Sequence, residues 1–224
     1  MASDRDGDRL LERILPASDR QAIEGAVRRT EAATGCELVV AVVPACDSYH
    51  HVSWKGALFG ALTGALLGGL ASRGLEIWGN VWAWLLLPAP TGAVLGWALT
   101  GWPALRRALA TPRVMDRRVS GRAAESFLTA QIARTSSRQG LLIFVALFER
   151  RVVVLADHGV AAQVEDSAWA VVTSAVEDGM RRGRAGEALT EAVSRCERLL
   201  VKHGFHGTPG AANELPDSLR VEAP

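Results

Sequence analysis

Residues 55–106 set the first constraint on this chain. Between Lys55 and Arg106 only Arg73 and Glu76 are charged, which leaves apolar runs at 56–72 and 77–105, of 17 and 29 residues. A helical crossing of a bilayer takes about 20 apolar residues, with a working range of roughly 17–25. A water-soluble domain has no use for so long an uncharged stretch in its middle. The runs predict a transmembrane helical hairpin at 53–105, entered at Trp54 and left near Leu105, with the lipid bilayer as first partner.

The flanking bases predict its orientation. Lys55 precedes the first run, and Arg106, Arg107, Arg113, Arg117 and Arg118 follow the second, whereas the connecting loop sets Arg73 against Glu76. Lys and Arg accumulate on the side that is not translocated. The expectation is an integral membrane protein with two spans, both soluble parts cytoplasmic, and a short loop at 73–80 on the far side. Gly56, Gly60, Gly64 and Gly68 recur every fourth residue and so share one helix face; Gly92 and Gly96 repeat the spacing in the second run. Such stripes let helices approach closely in lipid. They suit a tight hairpin within the chain, and equally a homo-oligomer or a membrane-protein partner. Trp54, Trp78, Trp82, Trp97 and Trp102 lie near the ends of the runs, as interfacial aromatics do. Pro88 and Pro90 should kink or interrupt the second run. No ionisable side chain lies mid-run, which argues against transport.

The remainder reads as one soluble domain in two parts, 17–52 and 106–203, between a charged N-terminal segment (1–16) and an irregular Gly/Pro-containing tail (204–224). The N-terminus lacks an apolar core like that of a signal peptide. A net charge of +1 predicts no nucleic-acid partner. Cys36, Cys46 and Cys196 form no metal-binding spacing and are expected to be reduced thiols.

Within the domain, Ser18 with Gln21 forms a capping box, and Gly35 stops the helix it opens. Residues 36–46 are almost continuously apolar and β-branched, as a strand buried on both faces would be. A helix is expected over 113–132. Apolar runs at 141–147 and 152–156, separated only by Phe148, Glu149, Arg150 and Arg151, predict a β-hairpin. Helices around 167–180 and 186–202 follow. The pattern predicts α/β architecture, a helix-flanked mixed sheet with the two-helix transmembrane hairpin inserted after the first strand.

Four stretches carry a family likeness: EAATGCELVVAVVPACDSY at 31–49, RTSSRQGLLIFVALFERRVVVLADHGV at 134–160, the helix around Trp169, and NELPD at 213–217. These residues resemble the TPM domain family, in a branch of membrane proteins. The resemblance implies an α/β sandwich with a mostly parallel sheet, an edge hairpin, and a membrane insert after the first strand. Some members of the wider family are called phosphatases, and some look like calcium binders.

In α/β sheets, ligands bind beyond the carboxyl ends of parallel strands. Asp47 after the first strand and Asp157 after the returning strand are the candidate metal ligands, and oxygen donors of this kind suit Ca2+ or Mg2+. Asp-x-Gly at Asp157 is also a good turn and cap sequence, and Asp47 suits a turn. Glu149 and Arg150 read as solvated turn charges. His50 with His51, and His203 with His206, suit a transition metal or the bare surface. No cysteine-phosphatase loop, DxDxT, GxxxxGK[ST] or GxGxxG is present, so the residues specify no catalytic group. The leading expectation is a membrane-tethered, non-enzymatic binding or assembly module, with a weak metal-dependent phosphatase as the alternative.

Overall fold

The computed structural model describes residues 12, 14–74, 86–135, 137–207 and 214–222. They form two compact units, Met1–Asp47 with Asp116–Pro224, and Ser48–Met115. Much of the N-terminal segment, Ser136, Trp78, Trp82 and most of the expected 73–80 loop lie outside the described residues.

The first unit is built on a four-stranded sheet in the order β3-β2-β1-β4. Strand β1 (Glu37–Val43) runs parallel to β2 (Gly140–Ala146), in register from Glu37↔Gly140 to Val43↔Ala146. Strand β3 (Arg151–Ala156) returns antiparallel to β2 at one edge, and β4 (Arg220–Val221) runs parallel to β1 at the other. Every residue of β1 and β2 is buried, because helices cover both faces of the sheet. Side chains alternate across a strand. Leu38, Val40, Val42, Leu141, Ile143 and Val145 therefore pack one face against α1 (Ala17–Thr34), α7 (Ala170–Arg181) and α8 (Ala185–Lys202). Val39, Ala41, Val43, Leu142, Phe144 and Ala146 pack the other against Val119 and Ala123 of α5 (Pro112–Thr129) and Ile132. This is the helix-flanked mixed sheet expected.

Two local expectations need correction. Helix α1 is not opened by a capping box. Pro16 occupies the cap and its carbonyl accepts the N–H groups of Asp19 and Arg20, so Ser18 already lies inside the first turn. The other end is as expected, with Gly35 at φ 70° donating to the Glu31 carbonyl. The tail is not irregular throughout. Residues 214–222 strap across the sheet edge and end in β4, held by carboxylates. The two oxygens of Glu37 accept the N–H groups of Glu214 and Leu215 (both 3.1 Å), and Glu24 accepts that of Leu219 (3.3 Å). These anchors come from far upstream, which is why local composition gave no sign of them.

In the second unit, α2 (His50–Gly74) is 25 residues long, about 37 Å at 1.5 Å per residue. It packs along α3 (Pro88–Leu99), which is followed by α4 (Pro103–Leu109). Contact is backbone to backbone. A Cβ at Gly60 would collide with the Gly92 carbonyl, one at Gly56 with the Gly96 carbonyl, and one at Gly64 with that of Pro88. The stripe is thus occupied by a helix of the same chain. Pro88 does not kink a helix; it stands in the first turn of α3, where its missing N–H costs nothing. Helix α2 is the one described helix long and apolar enough to cross a membrane, over His50–Ser72. At 12 residues, about 18 Å, α3 falls short of a hydrocarbon core of about 30 Å, and residues 75–85 lie outside the description, so a second span is not established.

Two measurements test these packings. Gly60→Leu should separate α2 from α3, seen as loss of protease resistance between residues 50 and 99; unchanged resistance would show that the glycine contact is dispensable. In the strap, the Glu31 carboxyl hydrogen-bonds Asp217. Its pKa is pushed up to about 8, mainly by burial, with Asp217 and Glu37 adding repulsion and the Leu38 N–H opposing. The fold therefore keeps a proton that the unfolded chain releases near 4.5. That contribution is complete below the unfolded value and is lost as pH rises through about 8. The melting temperature should fall between about pH 5 and about pH 9, and Glu31→Gln should flatten the fall.

Candidate functional site

Because β4, β1 and β2 are parallel, their carboxyl ends, at Val221, Val43 and Ala146, open on the same end of the sheet. Three segments meet there. Cys46 and Asp47 leave β1, residues 147–150 turn from β2 into β3, and Glu222 follows β4. Helix α5 supplies Arg118, Arg122 and Ser126 from the covering face.

Glu149 is not a solvated turn charge. It is only 3% exposed, and its Oε1 accepts the N–H of Cys46 at 2.9 Å. The carboxylate ties the β2–β3 turn to the chain leaving β1, an arrangement imposed by the parallel register. Asp47 pairs with Arg118 Nε at 3.1 Å. Glu222 accepts the Ser126 hydroxyl at 2.6 Å and lies 3.7 Å from the Arg122 guanidinium. The Cys46 thiol is pushed well above its ordinary range, first by burial and then by Glu149. A nucleophilic cysteine needs the opposite, a thiolate favoured by a neighbouring positive field. Beside these groups, Arg122, Glu125, Ser126, Thr129, Arg220, Val221 and Glu222 line an open cleft of about 470 Å³. Its walls alternate guanidinium, carboxylate and hydroxyl, which suits hydrogen bonding to a polar partner of mixed charge.

Asp157 lies elsewhere. Strand β3 is antiparallel to β2, so its carboxyl end is beside Gly140, whose carbonyl accepts the Asp157 N–H at 2.8 Å. The Asp157 carboxylate caps the short α6 (His158–Ala161) by accepting the His158 N–H at 2.7 Å, and lies 3.5 Å from Arg138. Asp47 and Asp157 are thus separated by the length of a seven-residue strand, about 20 Å. Oxygen ligands of Ca2+ or Mg2+ stand about 2.0–2.6 Å from the ion. The register therefore does not bring the two candidate ligands, Asp47 and Asp157, together at one site. Among the described residues no three His, Cys, Asp or Glu side chains converge as a metal cage would require. His203 bonds the Leu199 carbonyl through Nδ1 (2.8 Å), and His50 and His51 are exposed in the first turn of α2.

The residues missed from sequence are Glu149, Glu222, Arg122 and Ser126. The first was legible in principle, since an acid in a turn after a parallel strand stands beside the segment leaving its neighbour. The other three depend on β4, a two-residue strand with no local signature.

A double-mutant cycle checks the separation of the two aspartates. The costs of Asp47→Asn and Asp157→Asn in urea unfolding should add to within about 0.5 kcal/mol, as for distant sites. A coupling well beyond that would mean the two carboxylates share a ligand after all.

Residues 107–199 match the TPM domain family. No curated protein matches the chain. Among solved structures it is similar to the NMR structure of BA42 protein from the psychrophilic bacterium Bizionia argentinensis, with a TM-score of 0.56 at 17% identity, over 93% of this chain and 95% of that one. At that identity the likeness speaks for the fold alone. The matched stretch, residues 107–199, carries α5, β2, β3, α7 and most of α8.

Proposed function

We propose that this protein is a TPM domain held at a membrane by the helices inserted between β1 and β2, and that the domain binds or assembles with a partner instead of turning over a substrate. The observation that carries the membrane part is the exterior of α2 and α3. Trp54, Leu58, Phe59, Leu62, Leu66, Leu67 and Leu70 on one helix, and Val94, Leu95, Trp97 and Leu99 on the other, are each more than half exposed. A continuous apolar surface of this kind is far beyond what a water-soluble monomer presents. The glycine contact takes up the small-residue face, so these large side chains are left pointing outward, where acyl chains would receive them. In this reading the chain returns through the run at 77–105. Both parts of the TPM domain then lie on the side that holds Lys55 and the arginines, which is the cytoplasmic side by the distribution of bases.

Binding in preference to catalysis is supported by the carboxyl end of the sheet. Its carboxylates are engaged with Arg118, Arg122, Ser126 and the Cys46 N–H, and its thiol is held protonated by burial.

The full chain should stay with the membrane fraction through alkaline carbonate and leave it only with detergent. Replacing residues 48–115 by a short Gly/Ser linker should yield a soluble, cooperatively folding protein, since a change in loop length costs little, about 0.6 kcal/mol per doubling. Release by carbonate would overturn the anchoring. Metal-dependent hydrolysis of a phosphomonoester, lost in Asp157→Ala, would overturn the binding reading.

A further inference from the structure

We propose that the strap at 214–222 is a proton-dependent latch on the polar cleft at the end of the sheet. It is docked while the Glu31 and Asp217 carboxyl groups share a proton, and it is released, with one wall of the cleft, when that proton leaves. The use of the cleft rests on the binding reading above; the latch itself is a property of the strap.

The two walls of the cleft are held in different ways. One is α5, a long helix packed on the sheet, which presents Arg122, Ser126 and Thr129 at helical spacing. The other is the end of the strap, Arg220, Val221 and Glu222. Here β4 pairs with β1 only through Ala41↔Arg220 and Val42↔Val221, and the Glu222 N–H donates to the Val42 carbonyl at 3.1 Å. So short a ladder depends on what holds the chain leading into it. Leu215 and Leu219 are partly buried against opposite faces of the sheet. The polar anchors are carboxylates: Glu37 accepts the N–H groups of Glu214 and Leu215, and Glu24 accepts that of Leu219. Between these anchors Asp217 is hydrogen-bonded to Glu31 of α1.

An ionised carboxylate has no donor, so two carboxyl groups bond to each other only when one carries a proton. Without it they repel. One Glu31 oxygen accepts the Leu38 N–H at 2.9 Å, which leaves the other to meet Asp217. Glu37 from β1 and Asp217 from the strap are the charged groups that act on Glu31. On α1 itself Arg28, one turn earlier, is exposed, and Glu24 is engaged with Leu219; from α8, Glu197 accepts the Thr30 hydroxyl. Burial, then the two acids, hold the Glu31 pKa up at about 8 against the opposing effect of the Leu38 N–H. Release of the strap removes Asp217 and opens Glu31 to water, so the pKa returns toward 4.5. Docking therefore takes up a proton. Its contribution is complete below the released value and is lost as pH rises through about 8.

The test is hydrogen exchange of the full chain in detergent micelles, read as protection factors after correction for the intrinsic pH dependence of exchange. It needs no partner, so its outcome is independent of whether the cleft binds one. Protection across 214–222 should fall by about tenfold or more between about pH 6 and about pH 8, one proton allowing at most about tenfold per unit, while the β2 amides stay protected. Glu31→Gln supplies an N–H donor to Asp217 without a proton, and Asp217→Asn supplies one to Glu31; in each, strap protection should no longer depend on pH. The β2 amides report whether a variant has folded, and if one has not, the other decides. Strap protection that is flat with pH in the unaltered chain would overturn the latch, as would a parallel loss in β2, which marks global unfolding. A fall that persists in the folded variants would overturn the assignment to Glu31 and Asp217. Loss at 214–219 with 220–222 still protected would overturn control of the cleft.

Discussion

The parallel pairing of β1 with β2 is the constraint from which the rest of the molecule follows. Two parallel neighbours cannot be joined by a tight turn; the chain must travel back along the sheet before the second strand begins. Helix α5 makes that return, and its Val119 and Ala123 cover one face of the sheet in doing so. The same requirement creates a long connection leaving β1, and the α2–α3 unit is placed within it. It also sets the carboxyl ends of β4, β1 and β2 together, so that Glu149, Asp47 and Glu222 meet at one end while Asp157, carried by the antiparallel β3, is sent to the other.

Carboxylates in this fold serve largely as acceptors for backbone N–H groups that the sheet leaves unpaired. Glu149 takes the N–H of Cys46, Glu31 that of Leu38, and Glu37 those of Glu214 and Leu215. An unpaired buried N–H costs about 1–3 kcal/mol, so each acid closes a gap at the edge or end of a strand. The cost appears at Glu31, where burial and neighbouring carboxylates force a proton to be retained. Attachment of the strap and protonation of Glu31 are therefore linked.

How much of this was legible in the sequence depended on how local the cause was. The strands were, because β1 and β2 are buried on both faces and have nothing but apolar and β-branched side chains to show; so were the Gly35 stop and the apolar length of α2. The glycine spacing announced a close helix contact but could not say with which helix, since small residues fit a neighbour in the same chain or in another equally well. The start of α1, the burial of Glu149 and the whole of β4 were not legible. The first is decided by Pro16, two residues before the expected cap; the other two by partners many residues away, the register of a parallel pair for Glu149 and carboxylates on α1 and β1 for β4. The sequence showed which carboxylates follow strands, but the direction of each strand decided which of them could meet.

The interruption between β1 and β2 also orders events in time. During synthesis β1 leaves the ribosome ahead of the entire crossover, at about 5–20 residues per second. Through that interval it is an apolar strand with neither edge paired, and only α1 has been made to cover it. The α2–α3 hairpin needs nothing beyond Thr100 to close its own contact. It is therefore complete before the sheet can begin, and the domain assembles around a helix pair that is already set. Any delay after the hairpin lengthens the exposure of β1, which makes the first strand, and not the apolar helix pair, the point at which production of this protein is most open to aggregation.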